Sequence, residues 1–185
     1  IIQAMKKIIA ALLALFSLSA TAQLINGRYI PEPFLGQNGK YGYVIYKDKE
    51  NGDGKERKEI IGASFDAAYG FVQFSRELHL ARIRQGDKYG FTTTTGVPLI
   101  KPKFEEADDF HKEGYCKVKF NGKYGIIDKN GNYTVHNKYD AMNDLFNGWF
   151  EVSQDDVWGY IYYTGIYAAT EEEYRKKIKA GFVID

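Results

Sequence analysis

An aromatic residue followed by glycine recurs four times in this chain, at Tyr41-Gly42, Tyr89-Gly90, Tyr124-Gly125 and Trp158-Gly159. The last two intervals are 35 and 34 residues, and the first is 48, which is one period plus an insertion of about 13. A fixed period constrains folding strongly. Each unit must be one supersecondary element, and it can bury its apolar face only against its neighbours.

The flanks repeat as well. Leu35, Ile83, Val118 and Val152 stand six residues before the aromatic, and Pro33, Ala81, Cys116 and Phe150 stand eight before it. In the last three copies these are alternate apolar positions on one face of a strand. Asn38-Gly39, Gly86-Asp87, Asn121-Gly122 and Asp155-Asp156 then supply tight hairpin turns. Gly96, Gly131 and Gly165 mark the next turn. A second landmark follows: Phe65-Asp66-Ala67, Phe104-Glu105-Glu106-Ala107 and Tyr139-Asp140-Ala141, trailed by Phe71, Phe110 and Leu145. Each unit reads as strand, turn, aromatic-glycine strand, turn, strand and acidic connector.

The stretches KYGYVIY, KYGFTTT, KYGIIDKNG and VWGYIYYTG, with PKFEEADDF and NKYDAMNDLF downstream, resemble WG repeats. These bacterial modules of similar period are named for a Trp-Gly pair. The resemblance covers residues 33–170, and of the four copies the last, at Trp158, carries the eponymous tryptophan. It implies a repetitive β scaffold for binding rather than a shared catalytic centre. The expected fold is all-β: about four tandem hairpin repeats stacked as a curved or superhelical sheet. The units fall near 33–79, 80–114, 115–148 and 149–169.

Tyr41, Tyr89, Tyr124 and Trp158 are expected to stack between repeats, each burying roughly 150–250 Å². Gly42, Gly90, Gly125 and Gly159 would let another backbone or ring lie close against the strand. The last residues, 170–185, read as a capping helix. Thr170 caps it with Glu173 answering, acids open it, lysines close it, and Gly181 stands where it would stop. Tyr174 and Ile178 share one face. At the other end, QLINGRYI reads as an unpaired or capping strand.

Residues 1–22 stand outside this fold. Met5-Lys6-Lys7, the apolar run from Ile8 to Leu18 and the small residues Ala20-Thr21-Ala22 have the layout of a secretory signal peptide over 5–22, with Ile1–Ala4 upstream and Gln23 as the mature start. The run falls short of the roughly 20 residues that span a bilayer, so no transmembrane anchor is expected in the mature chain. The expected location is the periplasm or the cell exterior. Without Lys6 and Lys7 the formal charge falls from +1 to about −1, which leaves no basic field for nucleic acid.

No catalytic constellation emerges. His79, His111 and His136 lie in different parts of the repeat frame and read as surface or half-buried residues. Ser64, Ser75 and Ser153 lack nucleophile context, and Cys116, the single cysteine, reads as a small core residue. Residues 47–59 fail the spacing of an EF-hand loop and read as a solvated hairpin insertion. No metal or cofactor is expected. The acids Glu105, Glu106, Asp108, Asp109, Asp140 and Asp144 read as solvated connectors, although a stacked row of them would suit cations or a basic partner.

Fifteen Tyr, twelve Phe and two Trp exceed the needs of one inward face. Tyr115, Trp149, Tyr160, Tyr162 and Tyr163 are therefore candidate ligand-facing aromatics. The expected function is that of a non-enzymatic binding or scaffold module for a protein partner. The alternative is a carbohydrate- or cell-wall-binding module that takes an envelope glycan on exposed aromatics.

Overall fold

The structure is a computed structural model and describes residues 24–25, 28–50, 52–145 and 147–180. The leader-like segment and Gly181 lie outside these residues. The short strands β1 (Leu24–Ile25) and β2 (Arg28–Tyr29) pair with each other, so the first segment forms its own two-stranded ladder.

Four antiparallel sheets follow in chain order. The first holds β3 (Glu32–Leu35), β4 (Tyr41–Asp48) and β5 (Lys55–Phe65). The second holds β6 (Ala67–Gln73), β7 (His79–Gln85), β8 (Lys88–Thr93) and β9 (Pro98–Phe104). The third holds β10 (Glu106–Ala107), β11 (Tyr115–Phe120), β12 (Lys123–Asp128) and β13 (Tyr133–Tyr139). The fourth holds β14 (Ala141–Asp144), β15 (Trp149–Gln154), β16 (Val157–Tyr162) and β17 (Tyr167–Ala168), and the helix α1 (Glu171–Lys179) closes the described chain. Among the described residues the fold is all-β with one short helix near the C-terminal end and no closed barrel. The 47–59 insertion lengthens the β4–β5 hairpin, with Asp48 opposite Lys55, and its described residues are exposed.

The turns explain the pairing. Asn121 and Gly122 both have positive φ, at 51° and 74°, and so do Asp155 and Asp156, at 52° and 62°. Two successive left-handed residues make a type I′ turn, whose twist matches that of the flanking strands. Each turn sets its register, placing Val118 opposite Gly125 and Val152 opposite Gly159.

Apolar contact runs between successive sheets. Tyr43, Ile61 and Phe65 of the first sheet pack with Ala81 and Ile83 of the second. Leu80, Phe91 and Phe104 of the second pack with Cys116, Val118 and Ile127 of the third. Ile126, Val135 and Tyr139 of the third pack with Phe150, Val152 and Ile161 of the fourth. Trp149, Tyr162 and Ala168 then meet Tyr174 of the helix. Strands β7, β11 and β15 are buried along half or more of their length because each lies between two such cores. No unit covers its own face, so the stack is the core.

The helix is the end cover. Thr170 Oγ1 accepts from the Glu173 N–H at 3.2 Å, and Glu173 Oε2 accepts from the Ala169 N–H at 3.0 Å. Tyr174 lies parallel to Tyr160 at 4.7 Å and edge-on to Trp149 at 5.2 Å. Ile178 shares that side of the helix but remains 42% exposed.

Candidate binding sites

The first three repeats close in the same way. Motif aromatics pair across the ladder with landmark aromatics: Tyr41 with Phe65, Tyr89 with Phe104, and Tyr124 with Tyr139. Among the described residues no ring contact joins one motif aromatic to another, so the expected stacking between repeats is replaced by pairing within each sheet. The register slips at the motif glycine: Tyr124 faces Tyr139, yet Ile126 faces Val135. There the partner backbone presses onto the glycine. A Cβ on Gly125 would stand 2.7 Å from both Asn137 N and Val135 O, and one on Gly90 would stand 2.6 Å from Pro102 N.

The lysine of each Lys-Tyr-Gly has a matching role. Lys40 bonds Asp66, Lys88 faces Glu105 at 3.9 Å, and Lys123 bonds Asp140. The same acids cap the hairpin turn of the next repeat. Asp66 accepts from the Gly86 N–H at 2.8 Å, Glu105 from Gly122 at 2.9 Å and Asp140 from Asp155 at 3.0 Å. Each landmark acid therefore ties its own repeat to the one that follows. The Lys40 bond first, then the Gly86 amide, hold the Asp66 carboxyl below the usual range, and Lys123 followed by the Asp155 amide do the same for Asp140.

The fourth repeat is different. Val157 replaces the lysine, and β17 pairs at Tyr160–Ala168 and Ile161–Tyr167 before the chain turns into α1. Among the described residues no strand lies on the outer side of Trp158. Val157 is 67% exposed and Trp158 50% exposed. The Tyr167 ring rests over Gly159, where a Cβ would stand 2.7 Å from its Cζ, so a side chain fills the place held by backbone in the other repeats. Beside this edge lies a cavity of about 660 Å³, lined by Val135, Lys138 and Tyr139 on one side and by Val152, Val157 and Tyr167 on the other.

A second cavity, of about 650 Å³, opens where the connector before β11 meets the fourth sheet and Ile178 of the helix. Its wall includes Tyr115, Trp149, Phe150, Tyr162 and Tyr163, with His111, Glu113 and Asp144. Four of the five candidate aromatics are thus gathered in one wall. Tyr115, Trp149 and Tyr162 are buried, and Tyr163 is half-buried, so they form the wall of a recess rather than an exposed row. Tyr160, also half-buried, is outside this wall and stacks beneath Tyr174. Tyr115 is held in a three-ring stack, 4.4 Å from His111 and 4.4 Å from Tyr163. Burial, followed by the charges of Glu113 and Asp144, pushes the Tyr115 hydroxyl up to about 12.

The remaining candidates sit apart. Cys116 is fully buried and directs its thiol at the Asp108 carbonyl oxygen, 3.2 Å away, and burial raises its pKa well above the ordinary thiol value. His79 is buried in β7, a correction to the surface or half-buried expectation: its strand lies between two cores. His136 is on β13, 5.9 Å from the Tyr133 ring. The connector acids are tied to the chain's own cations: Glu106 to Lys119, Asp108 and Asp144 to Lys117, and Asp109 to Arg82. Glu113, Val157 and Tyr167 were not singled out by the sequence, and His111 was read there only as a surface or half-buried residue. A signal was available for Val157, the one copy in which lysine is missing before the aromatic.

Sheets of this pattern, tied acid to turn along the chain, define a tandem antiparallel β-repeat module. The family model described as WG containing repeat matches residues 89–124 and again 124–158, so the stretch from Tyr89 to Trp158 carries WG repeats. The curated proteins and the solved structures give no match. Among the described residues no helix is long and apolar enough to cross a membrane.

Proposed function

We propose that this chain is an exported, non-enzymatic binding module that takes an extended segment of a protein partner on the outer edge of β16. One observation carries the reading. Three motif aromatics have a strand on their outer side, while Trp158, at the same position, has none among the described residues and is half exposed. An open strand edge offers main-chain hydrogen bonds for affinity, and the flanking side chains supply specificity. The adjacent cavity gives the segment room, and Tyr167 would swing away as it enters. The other three sheets indicate the chemistry of the segment: an extended run ending in an aromatic, as in Phe65, Phe104 and Tyr139. Val157 in place of lysine favours an apolar residue where those strands continue into an acid. The leader-like layout of residues 5–22 supports export.

The test uses a peptide of residues 133–139, YTVHNKY, which is the strand that faces Tyr124 within the protein. Its addition to the full chain should saturably shift the amide signals of Val157, Trp158 and Gly159, and Trp158→Ala should weaken it. Absence of binding at millimolar peptide would refute the proposal. Saturable shifts of Trp158 by soluble cell-wall glycan, with none by peptide, would transfer the edge to the carbohydrate reading.

A further inference from the structure

We infer that the second cavity, between the connector before β11, the fourth sheet and Ile178, binds an organic cation: an ammonium or quaternary ammonium group. The wall provides the first reason. Its rings are turned against one another, Trp149 to Tyr162 at 5.3 Å and 47°, and Tyr162 to Tyr163 at 4.5 Å and 47°. Rings inclined to one another can turn more than one negative face toward a compact cation. A flat sugar-binding platform needs an open ring face, and the most deeply buried tyrosine of the wall, Tyr115, is already stacked against both His111 and Tyr163.

Charge gives the second reason. Among the described residues no lysine or arginine lines this cavity. Three further cavities each include at least one: Lys138 in the first, Arg76 and Lys112 in another, and Lys112 and Lys129 in a third. Glu113 and Asp144 stand in the wall, and Asp144 is answered by Lys117. Glu113 differs from the other connector acids. Glu105, Glu106, Asp108, Asp109, Asp140 and Asp144 each have a lysine or arginine partner. Among the described residues Glu113 has only His111, whose Nδ1 is 3.8 Å away. The same negative field reaches the floor, where Glu113 and Asp144 add to burial in raising the Tyr115 hydroxyl. An anion would be repelled here, and a neutral apolar group would strip water from carboxylates without replacing it. A cation satisfies both the rings and Glu113. The volume, about 650 Å³, is in the range of ordinary ligand sites and leaves space for the body that carries the charge.

The experiment follows the two indole N–H signals of the full chain by NMR, since Trp149 lines this cavity and Trp158 does not. Choline is titrated beside its uncharged isostere 3,3-dimethylbutanol, and N-acetyl-lysine methylamide beside its Nε-acetylated form. Both cations should shift Trp149 saturably and leave Trp158 in place, and the neutral counterparts should not. Tighter binding of the lysine derivative assigns the cation to a protein side chain, and tighter binding of choline to a free small molecule. Glu113→Gln, at an exposed side chain, should weaken either cation by about two- to fivefold with the fold intact by circular dichroism. Tyr163→Leu should weaken it by several-fold. Equal binding of choline and its neutral isostere would overturn the proposal. So would a folded Glu113→Gln chain of unchanged affinity, or saturation of Trp149 by an oligosaccharide and not by cations.

Discussion

Replacing the motif glycine by alanine should have unequal consequences in two copies of the same repeat. At Gly125 the new Cβ would stand 2.7 Å from Asn137 N and 2.7 Å from Val135 O, both main-chain atoms of β13. Relief requires moving a ladder strand at the point where the register already slips. Overpacking typically costs about 1–3 kcal/mol, and a backbone obstacle places Gly125→Ala at about 3 kcal/mol or more. At Gly159 the obstacle is the far end of the Tyr167 ring, 44% exposed and able to rotate outward. Gly159→Ala should therefore change stability by no more than about 1 kcal/mol, because an exposed side chain yields cheaply and alanine recovers some of glycine's entropy loss. Urea unfolding followed by circular dichroism reads the difference. With a slope of about 1–3 kcal/mol per molar urea, Gly125→Ala should lower the midpoint by at least about 1 M and Gly159→Ala by no more than about a third of that shift. Equal losses in the two variants would refute the reasoning, since that result would mean that backbone approach is not what the glycine permits.

Other perturbations probe the remaining links. Asp66, Glu106 and Asp140 all have folded pKa values held below their ordinary ones, chiefly by Lys40, Lys119 and Lys123 respectively. A depressed carboxylate stabilises the fold above its unfolded pKa and loses that contribution as pH falls through its folded one. Thermal unfolding should thus be flat above about pH 5 and decline below it, with a shallower decline in Asp140→Asn; an unchanged profile in that variant would remove Asp140 from the account. Asp156 adopts φ 62° in a turn that favours glycine at its second position, so Asp156→Gly should stabilise by roughly 0.5–1 kcal/mol in the same urea assay. Cys116, buried with a raised pKa, should resist iodoacetamide in the native chain and react only on unfolding, which mass spectrometry of the alkylated protein would show.

Much of the fold was legible because a period fixes phase. Once Tyr89, Tyr124 and Trp158 are aligned, the turns at Asn121-Gly122 and Asp155-Asp156 and the buried positions Ile83, Val118 and Val152 follow from alternation alone. The closeness demanded by the motif glycine was legible too. The partner of the motif aromatic was not, because stacking between copies and pairing with Phe104 or Tyr139 satisfy the same aromatic content. The acidic clamps were hidden for a different reason. Asp140 looks like a solvated connector until the next turn is known to lie against it. Candidate aromatics were found in excess, but their burial depends on the neighbouring sheet and on Tyr174, which covers Trp149 and Tyr160. Glu113 becomes informative only when every other connector acid is seen to have a cation.

Amide hydrogen exchange at the four motif aromatics tests the open edge most directly. In a hairpin closed by a two-residue turn, the residue one step beyond the closing pair directs its backbone N–H outward. For Tyr124 that side is occupied by Tyr139 of β13, and Tyr41 and Tyr89 have Phe65 and Phe104 in the same place. For Trp158 no strand stands there among the described residues. The Tyr41, Tyr89 and Tyr124 amides should exchange slowly, and the Trp158 amide should exchange orders of magnitude faster and gain protection when the 133–139 peptide is added. A Trp158 amide as protected as that of Tyr124 in the unliganded chain would contradict the account, because the edge proposed to receive a partner would already be closed.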